Sequence, residues 1–157
     1  MPDTQTATAA NIETLRTCVE RWGASKGADR GCWLDVVTDD VDFFSLAQGA
    51  GALEFTAPRR GRRDVEEYMD GLTDTFAMED FHGEEYVAEG DRVVMIGATT
   101  WTHKGGGGRF TTPIVMFARF RDGRIAELRE YYDTAAVAAT AGPGAGAGPG
   151  AGAGAGA

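Results

Sequence analysis

The amino-acid sequence predicts a single α+β domain, a cone-shaped α+β barrel in which three N-terminal helices pack on a strongly curved, mixed but mostly antiparallel sheet enclosing a pocket. Three observations predict it. The chain has 157 residues, enough for one domain with its own core and too few for two. Helical periodicity is confined to the first half, and from about residue 81 to residue 133 every segment has strand composition. Turn dipeptides separate those segments as in a meander of hairpins, and such segregation implies a sheet with helices covering one face.

The first helix is expected from about Ala10 to Ser25, where Ile12, Leu15, Val19 and Trp22 recur at three- and four-residue steps as one apolar stripe. Gly27 stops it, and Asp29 can cap a short second helix carrying Cys32, Trp33, Val36 and Val37. Val41 to Leu46 has strand composition. Residues 48–63, rich in Gly, Arg and Pro, read as loop with a brief strand over Leu53 to Thr56. A third helix, about Arg62 to Met78, sets Val65, Tyr68, Met69, Leu72 and Phe76 on one face.

Four strands follow, at about Phe81 to Ala88, Arg92 to His103, Arg109 to Arg121 and Arg124 to Asp133. Glu89-Gly90-Asp91 and Asp122-Gly123 are hairpin turns. Gly105 to Gly108 joins two strands instead of opening a helix, so it reads as a flexible turn and not as a phosphate cradle. From Gly142 onward nearly every residue is Gly or Ala, interrupted by Pro143 and Pro149. Such a segment has no side chains to bury, so residues 140–157 are expected to form a disordered tail behind a folded domain at 8–139.

Composition narrows the function. Hydrophobic residues make up 43% and charged residues 25%, which is ordinary globular composition. A formal charge of −9 argues against nucleic acid and against adhesion to an anionic membrane, since both need a cationic surface. No apolar run approaches the roughly 18 residues of a membrane span, and the N-terminus lacks a signal-peptide pattern, so a cytoplasmic location is expected. Cys18 and Cys32 read as reduced structural thiols. No Cys/His cluster has metal-ligand spacing, and neither metal nor cofactor is implied. Arg59, Arg60, Arg62 and Arg63 form a basic cluster, either a solvated loop or a steering patch for an anionic substrate.

Three segments carry a family resemblance: Trp33-Leu34-Asp35-Val36-Val37-Thr38-Asp39-Asp40-Val41, then Gly61-Arg62-Arg63-Asp64-Val65, then Phe120 to Asp133 with its Asp122-Gly123 turn. In their order they resemble the helix-to-strand passage, the helix-three entry and the final hairpin of the nuclear transport factor 2-like superfamily, in its SnoaL-like polyketide cyclase and ketosteroid isomerase-related branch. The resemblance implies the cone-shaped fold, a small hydrophobic substrate and a homodimer formed through the outer sheet face. The isomerase base falls on Ser45, and its enolate-stabilising groups fall near Trp22 and on Val115, so that mechanism is not carried over. The SnoaL-like cyclases hold an acid/base aspartate near the end of the last strand, where this chain has Asp133. An epoxide hydrolase-like site would need a second carboxylate beside Arg129 and Asp133.

Two readings of the last strand remain open. If Arg129, Tyr131 and Asp133 face inward, the pocket holds a cation, a phenol and a carboxylate able to move a proton; if Leu128, Glu130 and Tyr132 do, Glu130 and Tyr132 become its polar groups. Asp133 is either that catalyst or the N-cap of a terminal turn beginning at Thr134. His103, at the end of a central strand, is a candidate acid or hydrogen-bond donor to a carbonyl. Trp22, Phe44, Ser45, Tyr68, Met69, Trp101, Val115 and Phe117 are expected to line the substrate pocket. The reading that follows is an enzyme of the isomerase or lyase type, a cyclase, isomerase or dehydratase acting on a small hydrophobic carbonyl or polyketide-like intermediate of secondary metabolism. The alternative is a module that binds a small molecule or partner without catalysis.

Overall fold

The computed structural model describes residues 3–51 and 53–140 of the chain. The Gly/Ala-rich segment from residue 141 lies outside the described residues, as does most of the expected tail. Helix α1 spans Thr4–Ala24 and α2 is a single turn at Gly31–Leu34. Strand β1 (Val37–Ser45) and a two-residue β2 (Arg59–Arg60) precede α3 (Arg62–Thr75). Then come β3 (Phe76–Glu89), β4 (Arg92–His103), β5 (Arg109–Arg121), β6 (Arg124–Tyr132) and α4 (Thr134–Ala139).

The six strands form one mixed sheet in the order β2-β1-β6-β5-β4-β3, parallel only between β1 and β6. It is open, with β2 and β3 as its edges, so the expected barrel closure is corrected: helices, not further strand pairing, complete the enclosure. α1 lies against β3 and β4, α3 against β1 and β3, and α4 against β5. Instead of three N-terminal helices there is one long helix near the N-terminus, a single turn, and a third helix only after β2.

Several boundaries differ from expectation for local reasons. α1 begins at Thr4 because the Asp3 side chain accepts a hydrogen bond from the Thr6 amide, extending the helix beyond its apolar stripe. α3 ends at Thr75, and the period-two burial of Phe76 and Met78 belongs to β3, whose Phe76 pairs with His103. Val37 starts β1 rather than ending a helix. Leu53 to Thr56 is not a strand: Glu54–Thr56 is a 3-10 turn, and the short edge strand falls at Arg59–Arg60. Three of the four arginines there have a local carboxylate partner, Arg59 and Arg63 in Glu67 and Arg62 in Asp39.

Packing sets the helices tightly on the inner face. Gly23 allows α1 to seat on β3, since a Cβ there would lie 2.1 Å from the Phe81 carbonyl oxygen. Leu15, Val19, Val37, Val41, Val93, Met95 and Ile125 are fully enclosed between the layers. Both cysteines are buried: Cys18 Sγ donates to the Cys32 carbonyl at 2.7 Å and Cys32 Sγ to the Asp29 carbonyl at 2.9 Å. Burial pushes both thiols up to about 12. The glycine loop between β4 and β5 has a packing role as well. A Cβ at Gly107 would come 2.0 Å from the Thr140 carbonyl oxygen, so this loop clasps the end of α4.

Candidate active site

The inner face of the sheet and the helices enclose an apolar cavity of about 70 Å3. Register decides what faces it. On β5 the buried residues are Phe110, Thr112, Ile114, Met116, Ala118 and Phe120, so the even positions point inward. β6 pairs Met116 with Glu130 and Ile114 with Tyr132, which turns Leu128, Glu130 and Tyr132 toward the cavity. The parallel pairing of β1 with β6 then sets Ser45 opposite Glu130, and α3 brings Tyr68 down onto both.

The result is a buried polar cluster in the wall of an apolar chamber. Glu130 Oε1 accepts from Ser45 Oγ at 2.7 Å and from the Tyr68 hydroxyl. The Tyr132 hydroxyl lies 2.6 Å from Ser45 Oγ. Because Ser45 has one proton and gives it to Glu130, Tyr132 donates to Ser45, while the Tyr132 oxygen accepts from the Ala47 amide at 3.4 Å. Both donors converge on Oε1, and Oε2 has no hydrogen bond to a described residue. Glu130 is 7% exposed and its carboxyl is raised above the ordinary glutamate value, because desolvation outweighs the hydrogen bonds from Tyr68 and Ser45. Tyr132 is raised to about 12 and Tyr68 well above its ordinary value, again chiefly by burial.

This arrangement can hold either protonation state without rearranging. Ionised, the carboxylate keeps two charge-assisted hydrogen bonds; protonated, it carries its proton on Oε2, the oxygen left free. A single buried carboxyl that alternates so can remove a proton from a carbon acid and return it.

The expected residues divide sharply. Trp22, Tyr68, Met69, Trp101, Glu130 and Tyr132 line the cavity, and Ser45 stands directly behind Glu130. Phe44, Val115 and Phe117 do not line it: each falls on the outer-facing parity of its strand, and the inward neighbours Phe43, Ile114 and Met116 take those places. Arg129 and Tyr131 also face outward. Arg129 is paired with Glu127 and lies over the Phe44 ring, and Tyr131 packs on Phe44 at 5.8 Å. The carboxylate–arginine set of the epoxide hydrolase-like reading is therefore not assembled at the cavity. Asp133 is exposed; its Oδ1 accepts from the Ala136 amide at 3.0 Å as the N-cap of α4. His103 sets its ring edge-to-face on Phe76 at 5.2 Å, and its Nδ1 accepts from the Gly105 amide, so it braces the glycine loop.

Trp33, Phe43, Phe55, Phe110 and Val137 also line the cavity and were not anticipated as lining residues. The alternation within β6 carries the missing signal. Leu128 and Tyr132 flank Glu130, whereas charged Arg129 and Asp133 flank Tyr131, so the more apolar face was the inner one.

Fold and site together define a small α+β pocket protein with one buried carboxyl group. The sequence matches the family described as SnoaL-like domain over residues 15–128, more than half of the chain, and the chain belongs to that family, within the nuclear transport factor 2-like superfamily. No curated protein sequence matches it. Among solved structures, a nuclear transport factor 2-like protein from Burkholderia xenovorans LB400 is 23% identical, with a TM-score of 0.69 over 85% of this chain and 97% of its own. A candidate SnoaL-like polyketide cyclase from Jannaschia sp. CCS1 is 19% identical, with a TM-score of 0.69 over 91% and 100%. A protein of ketosteroid isomerase-like fold from Catenulispora acidiphila, solved in complex with trimethylamine, is 21% identical, with a TM-score of 0.65 over 84% and 97%. At these identities the likeness is one of fold. Among the described residues, no helix is long and apolar enough to cross a membrane, and no group of three or more His, Cys, Asp or Glu could hold a metal ion.

Proposed function

We propose that the chain is an acid/base enzyme, a cyclase, isomerase or dehydratase, acting on a compact hydrophobic carbonyl compound or the reacting end of a polyketide-like intermediate. The observation that carries this reading is Glu130, a buried carboxyl with its proton affinity raised and one oxygen left free in an apolar cavity. Glu130 moves the proton, Tyr68 and Ser45 hold its other oxygen, and Tyr132 holds Ser45. Asp133, the group suggested by similarity of position, is assigned to capping α4 instead. Membership of a family that includes polyketide cyclases supports the reaction class. The cavity volume of about 70 Å3 restricts what enters to a compact group, well below the roughly 300–1,000 Å3 of pockets for drug-sized ligands.

The test is α-hydrogen exchange. Small cyclic ketones incubated in deuterated buffer with the protein should lose α-protons, followed by NMR, and Glu130→Gln should slow this by about 10²–10⁴-fold. Asp133→Asn should exchange at the wild-type rate. An unaffected Glu130→Gln variant, or a dead Asp133→Asn variant, overturns the assignment. A second reading, binding without catalysis, is favoured by the trimethylamine held by the Catenulispora acidiphila protein, and is the outcome if wild type exchanges none of the probes.

A further inference from the structure

We propose that the cavity is a receptor for a compact organic ammonium cation, a methylated amine held among the tryptophan rings with Glu130 as its counter-ion. The inference rests on the same cavity as the acid/base reading but not on turnover. The first observation is a missing partner. Among the described residues, Glu130 is the one charged side chain lining the cavity, and no Lys or Arg lines it to neutralise that charge. Arg129, next to it in sequence, projects to the other face of the sheet and is bonded to Glu127. Buried carboxylates are normally paired, and here the position beside Oε2 is left for a ligand to supply the positive charge.

The second observation is the wall. All three tryptophans of the chain, Trp22, Trp33 and Trp101, line the cavity, together with Phe43 and Tyr68, whose ring centroids are 4.4 Å apart. Tryptophan gives the strongest cation–π attraction, and desolvation strengthens it. An anionic ligand would meet Glu130 and no cation. The remaining polar groups argue for methylation. Thr56, Thr99 and Thr112 line the cavity, yet each hydroxyl already donates to a backbone carbonyl and accepts from an N–H. An ammonium with several N–H groups would leave most unsatisfied, whereas methyl groups need only apolar contact. The small cavity fits a head group of this size.

Binding is then linked to pH. The groups facing Glu130 are Tyr68 from α3, Tyr132 on its own strand, Ser45 from β1 and Met116 from β5. Both phenols stay neutral through the ordinary range, so Glu130 alone changes charge there. Burial in the empty cavity raises the proton affinity of Glu130 and a bound cation lowers it, so binding around the Glu130 midpoint releases a proton. Below the Glu130 midpoint, affinity rises about tenfold per pH unit and then levels off.

The experiment is calorimetric titration of the protein with tetramethylammonium chloride from about pH 4, near the ordinary glutamate value, to about pH 8, with tert-butanol as the uncharged probe of similar shape. Wild type should bind tetramethylammonium with rising affinity and proton release, and tert-butanol with no pH slope. Glu130→Gln should lose at least about tenfold for the cation and keep its affinity for tert-butanol, which also shows that its cavity is intact. Trp22→Leu should weaken the cation more than the alcohol. No binding of the cation, no pH slope in wild type, or an unchanged Glu130→Gln variant each overturns the proposal. Ketone exchange is read separately, so a protein that binds the cation without exchanging ketones retains this inference and loses the acid/base reading; the opposite pattern does the reverse.

Discussion

Glu130, the carboxyl on which the proposed function rests, is costly for the fold once it is ionised. Its folded proton affinity lies above that of the unfolded chain, so its contribution to stability is complete below the unfolded value and is lost as pH rises through the folded one. Within that window the loss runs at about 1.4 kcal/mol per pH unit. Glu130→Gln removes the titration and can still accept from Tyr68 and Ser45 through its amide oxygen. The variant should therefore match wild type near pH 4 and gain on it as pH rises (about 4.3 being the unfolded glutamate value), as read from urea midpoints. A variant whose advantage is greatest in acid would contradict the raised affinity. At this scale the sequence was legible by residue type and not by orientation. Trp22, Tyr68, Trp101, Glu130 and Tyr132 were expected at the pocket, but Phe44, Val115 and Phe117 face the other way, because a parity error of one residue turns a strand over.

Elements repeat the lesson with their ends. The bounds expected for β4 and β5 are those observed, since hairpin turns rich in glycine mark both ends and every residue between them pairs. The start of α1 and the junction of α3 with β3 were less legible. A capping aspartate outside the apolar stripe begins the one, and Phe76 satisfies both a helical and a period-two pattern at the other. α4 depends on a similar cap. Asp133→Ala removes the hydrogen bond to the Ala136 amide and should cost about 1 kcal/mol, lowering the melting temperature by a few degrees while leaving any ketone exchange intact. A variant with normal stability and no exchange would instead return Asp133 to the chemistry.

The whole molecule has a second sheet surface besides the one around the cavity. In register across it run Ile96, Val115 and Tyr131, and beside them Val94, Phe117, Arg129 and Phe44. Ile96 and Tyr131 remain 38% and 37% exposed, and the charges in this region, Arg119, Glu127 and Arg129, are already paired with one another. An outer sheet face that carries apolar side chains in register, with its charges already paired among themselves, is suited to packing on a second copy. We expect the chain to sediment as a dimer and Val115→Asp to sediment as a monomer; identical sedimentation of the two would remove this surface as the interface. The fold class was legible from helices followed by hairpins, but how the sheet ends was not, because an open edge and a closed barrel share the same local pattern.

The parallel pairing of β1 with β6 has a consequence for how the protein is made. Ser45 and Glu130, which meet at 2.7 Å, are separated by 85 residues, and the strands from β3 to β6 each pair with their neighbour in sequence as hairpins. Hairpins β3 to β6 can assemble as soon as they emerge from the ribosome, but the chamber cannot close until the chain has been synthesised to β6 and has returned to meet β1. Between the synthesis of β6 and its pairing with β1, Glu130 lacks the hydrogen bond from Ser45 and the burial that raises its proton affinity. The raised proton affinity of this residue therefore depends on a long-range pairing, and a nascent chain stalled before β6 would hold β1 and β2 apart from β3 to β5, without the strand that joins them or the helix α4 that follows it.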